Sequence, residues 1–147
     1  MCPTDVTNKI LINGDYTQNI IWLLDRVVSD VSIMMFDWNW YKNDFACDIS
    51  LINQSIIRAK RRGVKIRIIS NAIEAKTYFL QNGIDVRKYS VRGVFHAKLF
   101  IFDQNKFVIG SHNMTMGAMS RNFEVSYLSN DNEAAKAFVT LFDSIWQ

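Results

Sequence analysis

The sequence predicts an α/β fold: a mixed central β-sheet flanked by helices on both faces, an α-β-α sandwich. Three observations lead there. From about residue 15 to residue 90, helical and extended patterns alternate, which is the order that right-handed crossover connections produce. After residue 90 the extended segments follow one another directly, and an amphipathic helix then closes the chain. The 147 residues, 49% hydrophobic and 13% aromatic, suit one compact domain over 1–147 with a core of its own.

Each element has its own signal. In NGDYTQNIIWLLDRVVSD, Ile20, Ile21, Leu24, Val27 and Val28 recur at helical spacing, with Asp15 or Thr17 as the cap. VSIMMF (31–36) is a short apolar run and reads as a buried strand. Residues 47–62 predict a helix with Ile49, Ile52, Ile56 and Ala59 on one face, stopped by Gly63, where a left-handed backbone is easy. VKIRIIS reads as a strand, AIEAKTYFLQN as a short helix ended by Gly83, and IDVRKYS as a strand. FHAKLFIF (95–102), FVIGS (107–111) and FEVSYLS (123–129) are strands, the first two joined by a turn at DQNK. NEAAKAFVTLFDSIWQ predicts the last helix, with Ala134, Phe138, Leu141, Phe142 and Ile145 inward.

Composition narrows the function. No apolar run approaches the ~18 residues that cross a bilayer, and MCPTDVTNKI has neither the basic end nor the apolar segment of a secretory signal. We therefore expect a soluble, cytoplasmic protein without stable membrane association. Cys2 and Cys47 are too few for a disulfide framework and lack metal-ligand spacing, so free thiols are expected. Seventeen Lys and Arg against fourteen Asp and Glu give a net charge of +3, a weak lean toward an anionic partner. RAKRRGVKIR (58–67) places six basic residues in ten. It reads either as a solvated helix end that complements the helix dipole or as a phosphate-contacting patch.

Both histidines of the chain lie in FHAKLFIFDQNKFVIGSHNMT (95–115). On a strand His96 and Lys98 share a face, with Asp103 at the strand's end. Ser111 and Asn113 follow the neighbouring strand, and Glu124 is the acidic residue of an otherwise apolar run. Imidazole is a nucleophile that titrates near neutral pH, an ammonium neutralises a phosphate oxygen, and Ser and Asn donate hydrogen bonds to the remaining oxygens. Such a set suits attack on phosphorus with no metal and no cofactor.

HAKLFIFD is H-x-K-x-x-x-x-D, and GSHN supplies G-S-x-N after six intervening residues. The combination resembles the HKD signature of the phospholipase D superfamily. The order of elements over about residues 15–147 looks like its small single-motif members, which include bacterial endonucleases and mitochondrial phospholipase D-like nucleases. The resemblance implies that His96 is phosphorylated, Lys98 binds phosphate, Ser111 and Asn113 line the phosphate pocket, and Glu124 orients the catalytic histidine. Asp103 matches the motif aspartate, whose role is more structural. His112 falls at the variable position and is expected to be noncatalytic.

Hydrolysis by this route needs a nucleophile on one side of phosphorus and a proton donor on the other. With one H-x-K in the chain, the expectation is a homodimer whose two His96 residues meet at a two-fold axis. The basic stretch with Arg61 and Arg62, and FDWNWYKNDF (36–45) with Trp38, Trp40 and Lys42, point to a nucleic-acid substrate, DNA or RNA. The aromatics alternatively pack into the core or an interface. A lipid phosphodiesterase and a noncatalytic nucleic-acid-binding module are the rival readings.

Overall fold

The computed structural model describes residues 8–146. Cys2 and the final Gln147, both named above, lie outside them. The elements in chain order are β1 (Lys9–Ile12), α1 (Asp15–Arg26), β2 (Asp30–Met35), β3 (Asp37–Trp38), α2 (Asp48–Arg61), β4 (Lys65–Ile69), β5 (Ala72–Ile73) and α3 (Lys76–Gln81). Then follow β6 (Asp85–Arg87), β7 (Lys98–Phe102), β8 (Lys106–Gly110), α4 (Met116–Ser120), β9 (Val125–Ser129) and α5 (Asn132–Ile145).

Seven strands form one sheet in the order β1-β9-β8-β7-β2-β4-β6. The crossover half is parallel, with β4 beside β2 and β6 beside β4. The consecutive strands β7, β8 and β9 pair antiparallel, as short connections allow. β2 joins the halves, parallel to β4 and antiparallel to β7, and every one of its residues is buried. Helices α1, α2 and α3 bury Ile20, Leu24, Ile52, Ile56 and Phe79 against one face, where Ile33, Phe100 and Phe102 lie. α5 covers the other through Ala135 and Phe142, against Met34, Leu99, Ile101 and Phe107. This is the α-β-α sandwich, and α2 ends where Gly63 takes φ 96°.

Several expectations are corrected. β1 was not foreseen: it is a four-residue edge strand that buries only Leu11. The strand expected over 95–102 starts at Lys98, because β2 ends at Met35, the partner of Lys98, and residue 96 has nothing left to pair with. The helix expected from residue 72 starts at Lys76, since Ala72–Ile73 pair with β3 instead. α1 has Gly14 at its cap position with no side-chain cap, so Asp15 and Thr17 do not cap it; Thr17 Oγ1 donates to Asp48. Val28 lies beyond α1 in an exposed turn, and Leu141 points outward from α5.

Part of the α5 face remains uncovered. Tyr127 of β9 lies between Ile10 of β1 and Ile109 of β8 in register, and Ile12 pairs with Val125. All five are at least partly open to solvent, Ile10 most at 61%.

Candidate active site

The site forms at the end of the sheet where the parallel strand β2 finishes and the order of strands reverses. Such ends are where open α/β sheets bind ligands. The loop between β6 and β7 brings His96 there, exposed, with its ring 4.7 Å from that of Phe36. Lys98, the first residue of β7, is buried. Its Nζ donates to the His96 carbonyl oxygen at 2.9 Å and lies 3.1 Å from Nδ1 and 3.3 Å from Nε2 of the imidazole. The two-residue step along the chain therefore puts ammonium and imidazole side by side. Burial lowers the Lys98 pKa from its ordinary value, and the charge of Glu124 counters it.

Glu124 and Ser111 face each other. The Ser111 hydroxyl donates to Glu124 Oε2 and accepts the Val125 N–H at 3.0 Å, so both of its roles are committed. Asn122 Nδ2 donates to the other carboxylate oxygen at 2.9 Å. Burial raises the Glu124 pKa, but the hydrogen bonds from Ser111 and Asn122 and the positive charge of Lys98 outweigh it, holding the carboxyl below its usual range. Asn113 Oδ1 is buried and has no hydrogen-bond partner among the described residues.

The other candidates fall elsewhere. Asp103 sits at the far end of β7, in a β7–β8 turn where it and Gln104 take φ 49° and 57°. This hairpin geometry matches the twist of the strands. From there its carboxylate accepts the N–H groups of Val28, Ser29 and Asp30 and the Ser29 hydroxyl, fastening the hairpin to the α1–β2 loop. Burial raises its pKa, and these hydrogen bonds more than reverse that. Trp38, expected to stack on bases, is instead enclosed in the core, its Nε1 donating to Asn53 Oδ1 at 3.0 Å. The β3–β5 pairing turns it inward. Trp40 is half-buried against Tyr78, and Lys42 is exposed. Arg61 and Arg62 lie at the C-terminal end of α2, the Asp103 end of the sheet, away from His96. Arg62 donates to the carbonyls of Leu24 and Val27, closing the end of α1.

Residues not foreseen also belong to the site. Phe36 backs His96, Asn122 holds Glu124, and Asn13 binds the Glu124 main chain on both sides. Asn122 had a local signal, two residues before the glutamate; Asn13, far away in sequence, had none. Among the described residues no three His, Cys, Asp or Glu side chains group as metal ligands, and no helix is long and apolar enough to cross a membrane.

Comparison with known proteins agrees with this geometry. Residues 23–146 match the family model described as cardiolipin synthase, PLD-like domain. A phospholipase D of Rickettsia prowazekii is 37% identical over 105 residues, 67% of this chain and 51% of that protein. The 5′-3′ exonuclease PLD3 of Xenopus tropicalis is 28% identical over 152 residues, 92% of this chain and 31% of that protein. The chain thus spans about half the length, or less, of these curated relatives. In fold it resembles Nuc of Salmonella typhimurium, a phospholipase D family member, with TM-score 0.77 and 22% identity over 95% of this chain and 94% of that one. The class is an α/β domain with a histidine–lysine site at the ends of its strands. The chain belongs to the phospholipase D superfamily, a superfamily of phosphodiesterases.

Proposed function

We infer that this chain is a metal-independent phosphodiesterase cutting DNA or RNA through a phosphohistidine on His96, at one active site completed by two copies of the chain. The reading is carried by the convergence of His96 and Lys98 with Ser111 and Glu124, from three separate stretches of sequence, at the end of β2. A neutral ring nitrogen of His96 attacks phosphorus, and the bond from phosphorus to the leaving oxygen breaks. That oxygen takes a proton from His96 of the partner subunit. Water then gives a proton back to that second imidazole and attacks phosphorus, and the nitrogen–phosphorus bond breaks. Lys98 neutralises the equatorial oxygens as charge gathers on them. Glu124 lowers the cost of keeping Lys98 charged beside the ring.

Two observations support the second copy. His112, the other histidine of the chain, is wholly enclosed and offers no second acid. The uncovered apolar face of Ile10, Ile12, Ile109, Val125 and Tyr127 adjoins the site, Val125 following Glu124 directly. A two-fold pairing over that face would bury it, and the shared site requires that the same pairing also carry one His96 to the other across the axis.

Nucleic acid is favoured by cations at the catalytic end rather than by the α2 cluster. Lys88 and Arg92 lie in the loop that carries His96, and Arg121 precedes Asn122; none has an ion-pair partner among the described residues. Phosphate contacts of this kind carry no sequence information, so cleavage with little sequence preference follows. The test is cleavage of labelled single-stranded and duplex oligonucleotides in excess chelator, with phosphatidylglycerol and cardiolipin vesicles as a parallel arm. Cutting by the wild type, loss in His96→Ala and an acid-labile phosphoryl adduct on His96 are expected. Lipid turnover without oligonucleotide cleavage would replace the substrate, and binding without turnover would reject the enzyme.

A further inference from the structure

The chemistry assigned to His96 makes no use of His112, yet this residue is not mere filler. It is fully enclosed, and both ring nitrogens have polar partners: Nε2 lies 3.0 Å from the Asn13 carbonyl oxygen and Nδ1 2.8 Å from Ser126 Oγ. A carbonyl only accepts, so Nε2 carries the proton and Nδ1 accepts from the Ser126 hydroxyl. Tyr16 stacks on the imidazole with ring centres 4.2 Å apart and planes 12° apart. Packing thus sets the ring plane, and the two bonds set its rotation. Burial pushes the His112 pKa down, against the Asn13 carbonyl and Glu124, in keeping with a neutral ring.

Asn13 is an unusual recipient. Its φ of 48° lies in the left-handed region, which Asn reaches more readily than most residues. From that turn its N–H donates to the Glu124 carbonyl at 3.1 Å, and its Oδ1 accepts the Glu124 N–H at 2.9 Å. Residue 13 therefore grips residue 124 on both sides. Gly110 completes the arrangement. A Cβ there would overlap the Ser126 side chain and backbone, so the glycine of G-S-x-N lets Ser126 come close enough to meet His112.

We propose that His112 is a positioning residue: by holding the Asn13 turn, it sets the Glu124 carboxylate between Ser111 and Asn122, in electrostatic reach of Lys98. This rests on the reading of Glu124 as part of the active site. Two variants separate positioning from packing. His112→Phe keeps the ring volume and the stack on Tyr16 but loses both polar bonds, whereas His112→Gln keeps an N–H for the Asn13 carbonyl.

With a fluorogenic oligonucleotide, His112→Phe lowers kcat about 10- to 100-fold with KM within about twofold, and His112→Gln recovers most of it. In a Glu124→Gln background His112→Phe costs less than about twofold more, because the two act as one unit. By NMR the Glu124 amide exchanges about tenfold faster in His112→Phe, but not in His112→Gln, while the amide of Phe100 in central β7 is unchanged. Equal losses in both backgrounds, or unchanged Glu124 exchange, would overturn the proposal. If His112→Phe fails to fold, Asn13→Gly, which keeps the turn and its carbonyl but removes Oδ1, must show the same kcat loss and the same faster exchange, or the link is rejected. A wild type that cuts no phosphodiester defeats the functional reading alone; the exchange comparison still decides whether His112 holds Glu124.

Discussion

Replacing Asp103 with alanine removes the acceptor for the N–H groups of Val28, Ser29 and Asp30 and for the Ser29 hydroxyl, at 3.1, 2.7, 3.3 and 2.8 Å. Hydrogen bonds to a charged group contribute about 1.5–3 kcal/mol each where water is excluded. Val28 and Ser29 are exposed, so water takes up part of what is lost and the sum shrinks to about 2–4 kcal/mol. At about 2–4 °C per kcal/mol for a chain of this size, Tm falls by roughly 5–15 °C. Turnover measured well below the transition stays within about threefold of wild type, because the carboxylate is at the far end of β7 from Lys98. The pH dependence is a second check. The folded-state pKa of Asp103 lies below its ordinary value, so its contribution is present above about pH 3.9 and is lost as pH falls through the depressed value. The stability gap between wild type and Asp103→Ala, followed by thermal melts from pH 7 downward, should therefore narrow in acid. A variant with unchanged Tm but no turnover would refute the reasoning and place Asp103 in the chemistry.

Three further outcomes follow. Arg62→Ala strips the donor from the carbonyls of Leu24 and Val27 and costs about 1–2 kcal/mol in denaturant melts, yet leaves oligonucleotide cleavage within about twofold; Lys88→Ala with Arg92→Ala does the opposite, raising KM severalfold, most clearly at low salt. Ile109→Lys with Tyr127→Lys places charge on the uncovered sheet face, so sedimentation should show a monomer and turnover should fall together with the dimer; an active monomer would reject the shared site.

The parts of the fold legible in the sequence were those with a local cause. α2 was readable because four apolar residues repeat on one face and Gly63 supplies the left-handed stop. The pairing of His96 with Lys98 was readable because a two-residue step settles it. What escaped depends on partners distant in sequence. β1 carries too short a pattern to declare itself and exists through β9, more than a hundred residues away. Trp38 looks like a loop aromatic until β5 pairs with β3 and turns it into the core. The basic run at the end of α2 has the charge of a phosphate site, but helix direction carries it to the wrong end of the sheet. The bond between His112 and Asn13 spans 99 positions, and no local pattern announces it.

The H-x-K-x-x-x-x-D signature runs from the loop before β7 to the turn after it, and its two ends answer to different demands. On the proposed reading the histidine and lysine serve reactivity, whereas the aspartate latches the hairpin to the α1–β2 loop. A descendant that discarded His96 and Lys98 would keep its architecture and persist as an inert scaffold, whereas one that discarded Asp103 would become fragile before it became inactive.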